Sequence, residues 1–105
     1  MDFAGCGVSE GEFISLGYYE QIDAKLVIQH VKSWKPITEF GLWGRSMGAA
    51  TTLMAALKSD SDIRYLVVDS SFTSIKNLCT EIAESSYHVP SILFSAAYSY
   101  IRKRV

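Results

Sequence analysis

The sequence predicts an α/β fold: a parallel sheet of about three strands, one of them truncated, flanked by helices in three α/β/α layers. Three observations carry that prediction. Two short apolar runs, Thr38–Trp43 and Ile63–Val68, lose in–out alternation towards their ends, as strands covered on both faces do. Segments with helical spacing separate and follow them, and strand–helix alternation calls for crossovers and parallel pairing. Between the first run and the helix after it lies Gly44-Arg45-Ser46-Met47-Gly48, where the chain must turn within a few residues.

Composition sets the bounds. With 105 residues, 49% hydrophobic and 20% charged, residues 1–105 read as a single, incomplete globular domain. A formal net charge of -1 argues against a nucleic-acid surface. No apolar run approaches the ~20 residues that cross a bilayer, and Met1–Gly5 lacks the positive start of a signal peptide. Cys6 and Cys79 show neither C-x-x-C nor metal-ligand spacing. They read as reduced thiols of a cytoplasmic protein, with a Cys6–Cys79 disulfide as the lesser alternative. No metal and no cofactor is implied.

In chain order, Met1-Asp2-Phe3 reads as the tail of the truncated strand, and Ala4–Gly17 as a loop. Gly5-Cys6-Gly7 begins like a dinucleotide fingerprint, but that pattern needs a glycine where Glu10 stands. Tyr18–Trp34 is helical, with Ala24, Val27, Ile28, Val31 and Trp34 on one face and Gln21, Lys25, Gln29 and Lys32 opposite. His30, beside that stripe, reads as a surface histidine. Lys35-Pro36 stops the helix. The strand Thr38–Trp43 follows, then the turn, then a helix ending near Lys58. Ser59–Asp62 is a polar connection to the strand Ile63–Val68. Asp69-Ser70-Ser71 closes that strand at its carboxyl end, where sites in open α/β sheets gather. Ile75, Leu78, Cys79 and Ile82 mark a helix over Thr73–Ser85, capped by Thr73 or Ser71. Pro90 suits the first turn of a last helix, Ser91–Arg104, which is apolar on two faces and ends in Arg102-Lys103-Arg104.

The turn is the chemical signal. A serine at the apex between strand and helix is forced into a strained conformation, with its Oγ held out from the sheet. Gly44 and Gly48 are expected where side chains on either side of it would collide. G-x-S-x-G alone arises by chance in roughly 3% of chains this long. Its weight therefore comes from the strand before it and the helix after it.

Three stretches resemble the α/β-hydrolase family. Asp2-Phe3-Ala4-Gly5-Cys6-Gly7-Val8-Ser9 resembles the D-x-x-G-x-G-x-S loop after a central strand of that fold. Gly41–Ala49 looks like its nucleophile elbow, and Val67-Val68-Asp69-Ser70-Ser71-Phe72 is similar to the segment closing the next strand. Order and spacing match too, and the nearest group is the serine-aminopeptidase-like hydrolases. The resemblance implies a partial α/β-hydrolase fold with Ser46 as nucleophile. It makes the Met47 backbone N–H an oxyanion donor, with Gly44 and Gly48 permitting the turn. The implied reaction is acyl-enzyme hydrolysis of an ester, thioester or amide in a small-molecule, acylated or peptide substrate. The family's triad runs Ser, then Asp or Glu, then His, and the His and the second oxyanion donor match nothing here. The chain is therefore expected to be the middle of a hydrolase, inactive by itself. Asp69 is a minor candidate for the acid, against capping its loop or contacting Ser71. His88, between two helices, is a minor candidate for the base. Arg45 and Met47 flank the nucleophile, where they could shape its pocket, but a structural ion pair is the preferred reading of Arg45.

The alternative is a non-catalytic module that binds a partner through its sheet edges and last helix. Self-association or further hydrolase segments are expected to cover those surfaces. Pro90–Val105 also fits membrane-surface attachment, though a lid or cap helix is the preferred reading.

Overall fold

The computed structural model describes residues 1–57 and 62–102. They form α1 (Glu20–Trp34), β1 (Phe40–Arg45), α2 (Met47–Leu57), β2 (Ile63–Asp69), α3 (Ile75–Tyr87) and α4 (Ser91–Arg102). The chain divides into two compact units, Met1–Ser71 and Phe72–Val105. Most of the Ser59–Asp62 connection, the helix end near Lys58 and the residues after Arg102 lie outside the described residues.

In the first unit β1 and β2 pair in parallel, in register from Gly41↔Tyr65 to Arg45↔Asp69, with an irregularity between Phe40 and Gly41. Helix α2 connects them and packs on both, and α1 packs on α2. Small side chains make that packing close: Ala49, Ala50, Thr51, Thr52 and Ala55 are all buried. Gly17 (φ +115°) enters α1 so near to α2 that a Cβ there would lie 3.1 Å from the Thr51 nitrogen. Along β1, Phe40, Leu42 and Gly44 turn inward while Gly41, Trp43 and Arg45 are exposed. Within this unit the sheet is thus covered on one face only. Trp43 (79% exposed), Tyr65 (68%) and Val67 (51%) stand on the other.

This corrects the expectation of three strands: the sheet of the described residues has two. Met1–Phe3 is not a strand, because its polar groups are taken by the loop that follows. The Asp2 carboxylate accepts the Val8 N–H at 3.2 Å, the Asp2 carbonyl accepts the Ser9 hydroxyl at 3.1 Å, and the Phe3 carbonyl accepts the Cys6 N–H at 2.9 Å. A backbone bent into such turns has no ladder to offer.

The face of α1 is also corrected. Ile28 is buried as expected, but Val27 and Trp34 are exposed, and the buried residues at the helix start are Glu20 and Gln21. Glu20 is 1% exposed. Its carboxylate accepts the Ser15 N–H at 2.8 Å, the Ser15 hydroxyl at 2.5 Å and the Gly17 N–H at 2.8 Å. Burial pushes the Glu20 carboxyl up. Hydrogen bonds from the Ser15 hydroxyl and N–H, its own N–H and that of Gly17 outweigh burial and hold it below its ordinary 4.5. The buried charge is admitted because the loop supplies its donors.

In the second unit Ser74, not Thr73 or Ser71, caps α3: its Oγ accepts the Asn77 N–H at 3.1 Å. Thr73 instead accepts the Asn77 side-chain amide at 3.2 Å. Helix α3 ends at His88, in the left-handed region at φ +54°. Helix α4 packs on α3, with the Lys76 ammonium 5.9 Å from the centre of the Tyr98 ring. No helix among the described residues is long and apolar enough to cross a membrane.

Candidate active site

Ser46 is the single residue between the end of β1 and the start of α2. Its φ is +54°, a conformation that costs an ordinary L-residue about 1–2 kcal/mol. Two sets of hydrogen bonds hold it there. The Ser46 N–H donates to the Asp69 carbonyl at 2.9 Å, carrying the parallel ladder one residue past β1. The Ser46 carbonyl accepts from Ala49 at 3.0 Å and Ala50 at 3.1 Å, which opens the helix. One serine therefore ends the strand and begins the helix, and it is exposed.

Gly44 is required by contact. A Cβ there would lie 2.0 Å from the Gly48 carbonyl oxygen and 2.6 Å from the Ala49 nitrogen, both backbone atoms that cannot swing aside. Gly48 differs from expectation: a Cβ there meets nothing within 4 Å. Residue 44 is crowded and residue 48 is not, because the turn folds residue 44 onto residue 48 while the outer side of 48 faces open space.

Met47 is the first residue of α2, half-buried. Helix geometry leaves the first N–H groups without intrahelical acceptors, at the positive end of the helix dipole. That is the environment a developing oxyanion needs.

Asp69 closes β2 opposite Arg45. Its Oδ2 lies 3.6 Å from Arg45 Nε, and its Oδ1 accepts the Ser70 hydroxyl at 2.7 Å. Arg45 is thus half of an ion pair, the preferred of its two sequence readings. With side chains 80% and 52% exposed, the pair adds little to stability. The hydroxyl partner of Asp69 is Ser70, and not Ser71, the contact that was one of the alternatives to a catalytic role. Ser70 is itself left-handed at φ +55°. Sequence reasoning missed it, and the only available signal was its place directly after a strand ending in a carboxylate.

The structure brings Gly44, Ser46, Met47, Gly48 and Asp69 to one corner of the first unit. His88 belongs to the second unit, where it ends α3. Cys6 and Cys79 are both free. An open hollow of about 500 Å³ lined by Asp2, Glu10, Asp23, Leu26 and Val27, among others, does not include Ser46. Among the described residues no group of three His, Cys, Asp or Glu side chains is placed to hold a metal ion. Set against known proteins, the chain matches no family model and no solved structure.

Proposed function

We propose that the chain is the central part of a serine hydrolase of the α/β-hydrolase type, with Ser46 as its nucleophile. The observation that carries this reading is the exposed, left-handed Ser46 at the single residue joining β1 to α2. Backbone strain persists where its surroundings over-determine it, and it clusters at active sites. Ser46 Oγ attacks the carbonyl carbon of an ester, thioester or amide while its proton passes to a base. The tetrahedral oxyanion, met by the Met47 N–H, collapses, and the leaving group departs with that proton. Water then adds to the acyl-enzyme, the acid is released and Ser46 regains its proton.

An unassisted serine hydroxyl is a poor nucleophile at neutral pH. The reading therefore assigns the histidine base, the triad acid and the second oxyanion donor to polypeptide outside these residues. The same polypeptide supplies the third parallel strand and the layer over Trp43, Tyr65 and Val67. Asp69, already engaged by Arg45 and Ser70, is given a structural role.

The test is labelling with a fluorophosphonate probe. The longer protein that contains this segment is expected to label at Ser46 and to lose the label in Ser46→Ala. The 105-residue chain alone is expected to label at least about a hundredfold more slowly, the usual cost of a missing base. An unlabelled longer protein sinks the reading.

The apolar face at Trp43, Tyr65 and Val67 favours one second reading, a non-catalytic module that binds a partner there. Sedimentation of the purified chain tests this second reading. A dimer or a stable complex is the expected result for a binding module, and a folded monomer counts against it.

A further inference from the structure

The rim of the sheet carries two serines in the same backbone state. Ser70 follows β2 as Ser46 follows β1, with φ +55° beside +54°. Arg45 and Asp69 are register partners, and the Ser46 N–H reaches the Asp69 carbonyl at 2.9 Å. Neighbouring strands lie about 4.8 Å apart. The two serines therefore stand one strand apart at the carboxyl ends of the sheet, and both are exposed.

The proton of the Ser70 hydroxyl is committed. Its Oγ lies 2.7 Å from Asp69 Oδ1, and an ionised carboxylate can only accept. The single hydroxyl proton thus goes to Asp69, whose other oxygen faces Arg45 Nε at 3.6 Å. What remains on Ser70 for a neighbouring molecule is lone pairs. Carbonyl substrates divide on that point. An amide or peptide carries an N–H beside the scissile carbonyl, whereas an ester or thioester carries lone pairs there.

We propose that Ser70, with its proton held by Asp69, is a specificity-determining acceptor beside Ser46 that selects amide and peptide substrates over esters and thioesters. The proposal rests on Ser46 being the nucleophile. Asp69 is a positioning residue, acting through Ser70. A single hydrogen bond at an exposed rim is worth about a fivefold preference.

The experiment uses two small probes that differ at one position, N-methylacetamide and methyl acetate. Each is titrated into the 105-residue chain while the backbone amide resonances of Ser46, Met47 and Ser70 are followed by NMR. The amide is expected to bind about fivefold more tightly. Ser70→Gly removes the hydroxyl but suits the left-handed backbone, so the variant folds, and it is expected to bind both probes equally. Asp69→Asn can offer Ser70 an N–H, which frees the hydroxyl proton to turn outward and moves the preference towards the ester. Equal binding of the two probes by the wild type, binding of neither, or an amide preference that survives Ser70→Gly overturns the proposal. Fluorophosphonate labelling keeps the two ideas separate. A labelled longer protein with no amide preference removes the Ser70 proposal alone, and an unlabelled one removes the nucleophile reading together with the proposal that rests on it.

Discussion

Gly44→Ala is expected to cost about 3 kcal/mol of stability, at the top of the range for overpacking. The added methyl would lie 2.0 Å from the Gly48 carbonyl oxygen and 2.2 Å from its carbon, so the turn must open for it to fit. Opening that turn moves Ser46 off the bond from its N–H to the Asp69 carbonyl. Gly48→Ala is the internal control. Its methyl meets open space within α2, and replacing a helical glycine by alanine gains roughly 0.5–1 kcal/mol. Urea unfolding of the two variants should therefore move in opposite directions. A Gly44→Ala variant as stable as the wild type would show that the turn is not built as described.

The second large effect is at Glu20. Glu20→Gln keeps the size of the side chain but sets an amide nitrogen among the N–H groups of Ser15 and Gly17 and the Ser15 hydroxyl. Leaving such donors unmatched in a site 1% exposed is expected to cost about 2–3 kcal/mol near pH 7. The pH dependence follows from the sign of the carboxyl's shift. Its folded-state value is depressed below 4.5, so the stability that it confers is complete above the unfolded-state value. That stability is lost as pH falls through the folded-state value. The gap in urea midpoint between wild type and Glu20→Gln should hold steady from pH 7 down to about 4.5, then narrow and close. A gap that widens on acidification contradicts the assigned direction.

Much of the fold was legible because its signals are local. The apolar runs at Leu42-Trp43 and Tyr65–Val68 mark two strands, and the small residues Ala49–Ala56 mark the helix between them. The left-handed serine followed from a strand forced directly into a helix. What was not legible depends on which groups a side chain finds in space. Glu20 and Gln21 carry nothing in their residue types to say that they are buried, and only the donors of Ser15 and Gly17 make Glu20 an interior residue. Met1–Phe3 has strand-like composition at one residue, yet the Asp2 carboxylate closes the loop instead. Capping fell to Ser74 because its Oγ, and not that of Thr73, reaches the Asn77 N–H. The glycines divided for the same reason: spacing marks both, and only the fold reveals which one is crowded.

The elbow is contiguous in the chain. Everything that bends Ser46 out of line, from β1 through α2 to the Asp69 carbonyl, falls within residues 40–69. Assembly of this corner needs no partner brought from far along the polypeptide, so it can close on a nascent chain while the residues after Ser70 are still within the ribosome.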